Sequence, residues 1–205
     1  MSPLEIAANS LGGWAESLSP LEIAAVLLGT ANIILLVRRN ILNYPFGMAM
    51  VLLYVVIDYR SRLYGEMGLQ VFFFVVQGYG WWLWARAGGV EHQVDVRWLG
   101  WKARIACLAA IGIFALLVGT FMHRLTDAAM PFADATLAGA SIVAQFLLSF
   151  RRIENWVLWI AIDLGSVPLF YSRGLHLTAV LYAAFLVLSI IGLREWTRAY
   201  RGKPA

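Results

Sequence analysis

The sequence predicts an all-α integral membrane protein with about seven spanning helices. Three observations carry that reading: an apolar composition, a set of long apolar runs, and an internal repeat. Of 205 residues, 61% are hydrophobic and 14% charged, and the mean hydropathy is +0.72. Soluble domains are roughly 45–50% apolar and about 25% charged. A soluble chain this short has too much surface for its volume to bury so much apolar material, so lipid must be the solvent for most of it. The nine Trp fit, because indole rings favour the boundary between water and hydrocarbon.

A span needs about 20 mostly apolar residues to cross roughly 30 Å of hydrocarbon. Seven segments qualify: Pro20–Val37, Ile41–Asp58, Gly65–Ala85, Leu99–Met122, Phe132–Phe150, Glu154–Tyr171 and Leu175–Leu193. Lys102 and Arg104 stand near the start of the fourth, so its true entry into the membrane is later. Short, Arg-bearing turns make neighbouring spans antiparallel. The exception is the polar stretch around Arg86–Arg97 between the third and fourth spans.

With seven spans the sixteen Lys and Arg divide unequally. Arg60, Arg62, Arg124 and Arg173 fall on one side. The rest, including Arg38, Arg39, Arg86, Arg151, Arg152 and the carboxyl-terminal tail, fall on the other. Basic residues favour the cytoplasm, which puts the amino terminus outside and the carboxyl terminus inside. The first fifteen residues carry Glu5 and no basic residue, unlike a cleaved signal peptide. The repeated SPLEIAA at Ser2–Ala8 and Ser19–Ala25 carries no function that we can read.

Sliding the chain so that Arg39 falls on Arg151 aligns the second and third spans with the sixth and seventh. Asn43 then meets Asn155, Tyr59 meets Tyr171, Gly80 meets Gly192 and Trp84 meets Trp196. The offset covers four helices, so both copies have the same orientation. The expected plan is two parallel three-helix bundles joined by a linker helix, 3+1+3. Its parts are an amino-terminal segment 1–19, a first bundle 20–86, a loop and linker helix 87–131, a second bundle 132–198 and a tail 199–205. Parallel repeats are a known plan for solute carriers, with the site near the midplane.

Polar side chains inside spans are costly and usually face the bundle or a wet cavity. At helical spacing, Asn155, Trp159, Asp163 and Ser166 share one stripe of the sixth span, and Gln70, Phe74, Gln77 and Trp81 share one of the third. Ser141 pairs with Gln145, Thr178 with Tyr182, and Asn32 and Asn43 lie in the first and second spans. The bland alternatives are plain: Ser141 and Thr178 bonding their own backbone, Gln70 and Gln77 acting as interhelical glue, Asn155 and Asp163 anchoring their helix. Convergence favours a site for a polar, partly aromatic solute, with amides for hydrogen bonds and Trp159 to stack on a ring. Trp156 reads as an interfacial anchor facing elsewhere. Asp58, Glu66 and Glu154 sit near span ends, which leaves Asp163 as the deep carboxylate.

Other classes find little support. Net charge is +4 and the basic residues are scattered between spans, so no nucleic-acid partner is expected. His92, His123 and His176 are far apart, Cys107 is alone, and no glycine-rich phosphate loop is present. No cofactor or metal is implied. A membrane-embedded enzyme using Asp163 is the remote alternative.

At these residues the chain resembles the PnuC family of vitamin transporters. The likeness rests on LYGEMGLQVFFFVVQGYGWWLW (Leu63–Trp84), on NYPFG (Asn43–Gly47), and on the second bundle from Ser141 to Trp196, with its ENWVLW, GLHLTAVLY and REW runs. It covers about residues 20–200. The resemblance implies a SWEET-like fold and facilitated diffusion of nicotinamide riboside, or alternatively of thiamine, riboflavin or a related vitamin or nucleoside. It also implies one-way uptake through a cytoplasmic kinase, and a homotrimer. By resemblance, ligand contacts fall on Asn155, Trp159 and the glutamine of the third helix. The full set expected around the solute is Gln70, Gln77, Gln145, Asn155, Trp159, Asp163 and Tyr182. This chain departs from the family at Asn43-Tyr44-Pro45, where a Trp-Pro pairing is common, which bears on the first half of the site.

Overall fold

The computed structural model of the chain describes residues 20–60, 62, 64–88, 93–126, 130–172 and 176–202. Seven helices occur among them: α1 Pro20–Val37, α2 Asn43–Arg60, α3 Tyr64–Arg86, α4 Trp101–Leu125, α5 Pro131–Ser149, α6 Glu154–Ser172 and α7 His176–Arg201. Each coincides with an expected span to within a few residues. α7 alone runs well past its apolar stretch, because Arg194–Arg201 are good helix formers once the chain leaves hydrocarbon. Taken singly, Trp101–Leu125, Pro131–Ser149 and Ala179–Arg201 are long and apolar enough to cross a bilayer. The first SPLEIAA copy, His92, and the side chains of Glu66 and Thr178 lie outside what is described.

The described chain forms two compact units. One comprises the residues up to Ile34 with Leu42–Gly78, the other Leu35–Ile41 with the chain from Tyr79 on. In the first, Gly29 leaves room for Met50, and the Asn32 side-chain amide donates to the Asn43 carbonyl at 2.6 Å. Asn43, Tyr44, Val51, Asp58, Val76 and Gln77 are buried. In the second, α4 packs on α5, α5 on α6 and α6 on α7. The α4–α5 contact is reciprocal: Phe132 lies over Gly119, and Phe114 over Gly139. Small residues let membrane helices approach closely enough for such packing. Elsewhere α4 is exposed nearly all round, with Ile105, Leu108, Leu116, Leu117 and Phe121 each more than half exposed. That suits a helix solvated by lipid.

Residues related by the repeat share local geometry. Arg39 and Arg151 both have a left-handed backbone, φ 57 and 58. Their amides bond back to Leu36 and Leu148, and the next amides, of Asn40 and Arg152, to Leu35 and Leu147. These are the paired bonds of a Schellman helix end, repeated bond for bond. Asn43 and Asn155 are buried, Trp84 and Trp196 are wholly buried, and Tyr59 and Tyr171 are 63% and 65% exposed.

Between α3 and α4 the chain docks on the α5–α6 turn. The Arg97 amide donates to the Arg151 carbonyl and the Ile153 amide to the Arg97 carbonyl, both at 3.1 Å. Val94 and Val96 are buried beside this pairing, and the Arg39 guanidinium donates to the Val94 carbonyl. Burial holds Arg39 below the ordinary guanidinium pKa, opposed by nearby Asp95 and Glu195.

Candidate functional site

α6 carries the expected stripe. Asn155, Asp163 and Ser166 are each no more than 2% exposed, and Trp159 is half-buried. At about 1.5 Å per residue, Asp163 lies roughly 14 Å from the start of α6, close to mid-bilayer depth. Its Oδ2 accepts a hydrogen bond from Ser189 Oγ at 3.0 Å, across from α7. Asn155 donates from Nδ2 to the Arg152 carbonyl at 2.6 Å, which anchors it to the turn before its helix. Its Oδ1 is buried with no hydrogen-bond partner among the described residues.

The other expected residues divide. Gln145 and Tyr182 are half-buried, with the Tyr182 ring edge-on to Phe185 at 6.0 Å. Ser141 donates to the Leu137 carbonyl at 2.9 Å, so it bonds its own helix, as its bland reading had it. In the first unit Gln70 is half-buried and Gln77 buried. The Gln77 Oε1 and Asn32 Nδ2 sit directly over the Cα of Gly47. Gly47 is the repeat counterpart of Trp159, so the two repeats differ chemically here. Amides occupy in one the place that an indole takes in the other.

Three readings of the sequence need correction. Trp156 is not an interfacial anchor: it is 2% exposed, its indole lies against the backbone of Gly192, and it meets Trp196 edge-on at 5.6 Å. At about 100° per residue, Trp156 stands only about 20° around α6 from Asp163, so it shares the buried arc. Glu154 is not left to water. It is 9% exposed, and its Oε1 accepts from the Leu99 amide at 2.9 Å and the Arg104 guanidinium at 2.8 Å, tying the start of α4 to α6. Asp58 is also buried, at 7% exposed, so Asp163 is not alone as a buried carboxylate. Ser189, which holds Asp163, was missed. It is the repeat counterpart of Gln77, and that correspondence was the available signal.

Comparison with known proteins decides what these helices belong to. The profile of the family described as nicotinamide mononucleotide transporter matches residues 19–198. The chain belongs to that family. It is 29% identical over 218 residues to the nicotinamide riboside transporter PnuC of Escherichia coli (strain K12), covering 93% of this chain and 90% of that one. It is 30% identical over 190 residues to the PnuC transporter of Neisseria mucosa, covering 87% and 72%. It is 27% identical over 180 residues to the riboflavin/roseoflavin transporter RibM of Streptomyces davaonensis, covering 85% and 83%. A crystal structure of the vitamin B3 transporter PnuC matches with a TM-score of 0.70 at 28% identity, over 88% of this chain and 81% of that one. The chain is thus a multi-pass membrane transporter of a small molecule, and the remote reading of Asp163 as an enzyme's catalytic group falls away.

Proposed function

We propose that the chain carries nicotinamide riboside across the bacterial inner membrane by facilitated diffusion with alternating access. The observation that supports this best is the buried α6 stripe: a free amide acceptor, a half-buried indole and a carboxylate, with no Lys or Arg inside α5, α6 or the apolar part of α7. A riboside with a cationic ring suits that set. Trp159 offers a π face, with cation–π attraction of about 0.5–2 kcal/mol, and Asp163 the opposite charge. A mononucleotide adds a dianionic phosphate, which would face Asp163 with no cation inside those helices to pair with it. The riboside reading is therefore favoured over the mononucleotide that the family description names. The residues proposed to touch the solute are Gln70, Gln77, Gln145, Asn155, Trp159, Asp163 and Tyr182. The relationship to a riboflavin/roseoflavin transporter supports a second reading, a related vitamin in the same stripe.

The 3+1+3 plan, with bundles at 20–86 and 132–198, is supported by the matched Arg39/Arg151 helix ends and the matched tryptophans. The unequal division of basic residues supports an external amino terminus. With no driving site assigned, direction falls to a cytoplasmic kinase that traps the solute, and a homotrimer is the proposed assembly. The test is a titration of the purified protein with nicotinamide riboside, nicotinamide mononucleotide, thiamine and riboflavin. Nicotinamide riboside should bind tightest. Trp159→Ala should weaken it by roughly 1–3 kcal/mol, as loss of ring stacking does, and Asn155→Ala by about 1–3 kcal/mol. Tightest binding of the mononucleotide, or full affinity in both variants, would refute the assignment.

A further inference from the structure

We propose that Trp84 and Trp196 form a symmetric latch that closes the basic face of the carrier, and that both must let go for solute to pass there. Trp84 on α3 donates from Nε1 to the Leu148 carbonyl of α5 at 3.3 Å. Trp196 on α7 donates from Nε1 to the Leu36 carbonyl of α1 at 3.2 Å. Donors and acceptors exchange under the repeat: Trp84 corresponds to Trp196, and Leu36 to Leu148. Each bond therefore runs from one repeat to the other. All four residues belong to the second compact unit, yet a bond within one repeat would survive a rocking of repeat against repeat, whereas these two, which join the ends of α1 and α3 to α7 and α5, would have to break in it.

Packing reinforces the bonds. Both indoles are wholly buried, with ring centroids 6.1 Å apart. Both acceptors are last-turn carbonyls that also receive the amide of a left-handed Arg, Arg39 or Arg151. Replacing either indole by phenyl thus removes one crossing bond without stranding its acceptor, and such a variant keeps an aromatic ring in the core. The arginine-rich turns that these tryptophans close mark the face proposed as cytoplasmic.

The inference rests on the alternating-access reading, and its test separates the two. Ser149 is wholly buried on the last turn of α5, next to Leu148, so Ser149→Cys in a Cys107→Ser background reports on this face. In the full-length protein, a water-soluble maleimide should label it at least about tenfold more slowly than Gly100→Cys, at an exposed position. Trp84→Phe and Trp196→Phe should each raise the rate about fivefold, the equilibrium weight of one hydrogen bond. Trp101→Phe, on an indole 67% exposed, should not. An unprotected Ser149→Cys, or a rise in one phenylalanine variant without the other, would overturn the latch. Where one phenylalanine variant does not fold, the other decides, and an unchanged labelling rate in it would overturn the proposal. Should the parent bind no vitamin, the solute assignment fails while the phenylalanine comparison still judges the latch.

Discussion

Trp156→Ala should destabilise the protein severely, and the reason lies in what the indole touches. The side chain is 2% exposed and packs on Gly192, where an added Cβ would stand 2.6 Å from three indole carbons. A buried aromatic of about 200 Å² at roughly 25 cal/mol per Å² contributes about 5 kcal/mol gross. Trp→Ala in cores costs about 3–5 kcal/mol, and the lower end applies where lipid is part of the reference state. About 3 kcal/mol corresponds to a fall of roughly 6–12 °C in apparent Tm for a chain of this size. Trp156→Phe should cost less, about 1–2 kcal/mol, because the Nε1 has no hydrogen-bond partner among the described residues and only ring volume is lost. Gly192→Ala drives a methyl into the indole and should cost about 1–3 kcal/mol. The double variant should cost less than the sum, since the methyl enters the space that the indole vacates; a coupling of about 1–2 kcal/mol is expected. Thermal unfolding of the parent and the four variants in one detergent measures all of it, with Trp101→Ala as the exposed control. An apparent Tm within 2 °C (about the effect of half a kcal/mol) for Trp156→Ala, or strict additivity with Gly192→Ala, would refute the packing account.

Glu154→Ala should lower apparent Tm by the equivalent of about 1–3 kcal/mol, since the Leu99 amide and Arg104 lose their shared acceptor. Glu154→Gln should cost under about 1 kcal/mol, because Arg104 is half exposed and water screens the pair. Reporter fusions should place the amino terminus in the periplasm and the tail after Trp196 in the cytoplasm; both termini on one side would exclude an odd number of spans. Uptake into sealed vesicles without a trapping kinase should stop at equal concentrations and ignore a proton gradient. Proton-driven accumulation would instead assign Asp163 a coupling role.

Much of this protein is legible in its sequence. Seven apolar runs became seven helices because a backbone in hydrocarbon must satisfy its own hydrogen bonds, and a helix is the local way to do so. Asn155, Asp163 and Ser166 could be placed on one buried stripe for the same reason: helical periodicity is a local property, and a polar group facing lipid is costly. The repeat was visible as residue pairs, of which Asn43/Asn155, Gly80/Gly192 and Trp84/Trp196 stood out.

Why those pairs exist was decided only by tertiary structure. The glycine at 192 is small because an indole from another helix lies on it, and the tryptophans bond to carbonyls more than sixty residues away. Trp156 was misread because an apolar helix in lipid lacks a polar face to mark its outward side, so two neighbouring tryptophans look alike until their partners are known. Glu154 was misread because its position near a span end says nothing of the chain segment that docks on it. Hydropathy and periodicity report which solvent a residue meets, lipid or water. They do not report which side chain fills the space opposite, and it is that complementarity between distant segments that sets the tryptophan pair, the Asp163–Ser189 bond and the amides over Gly47.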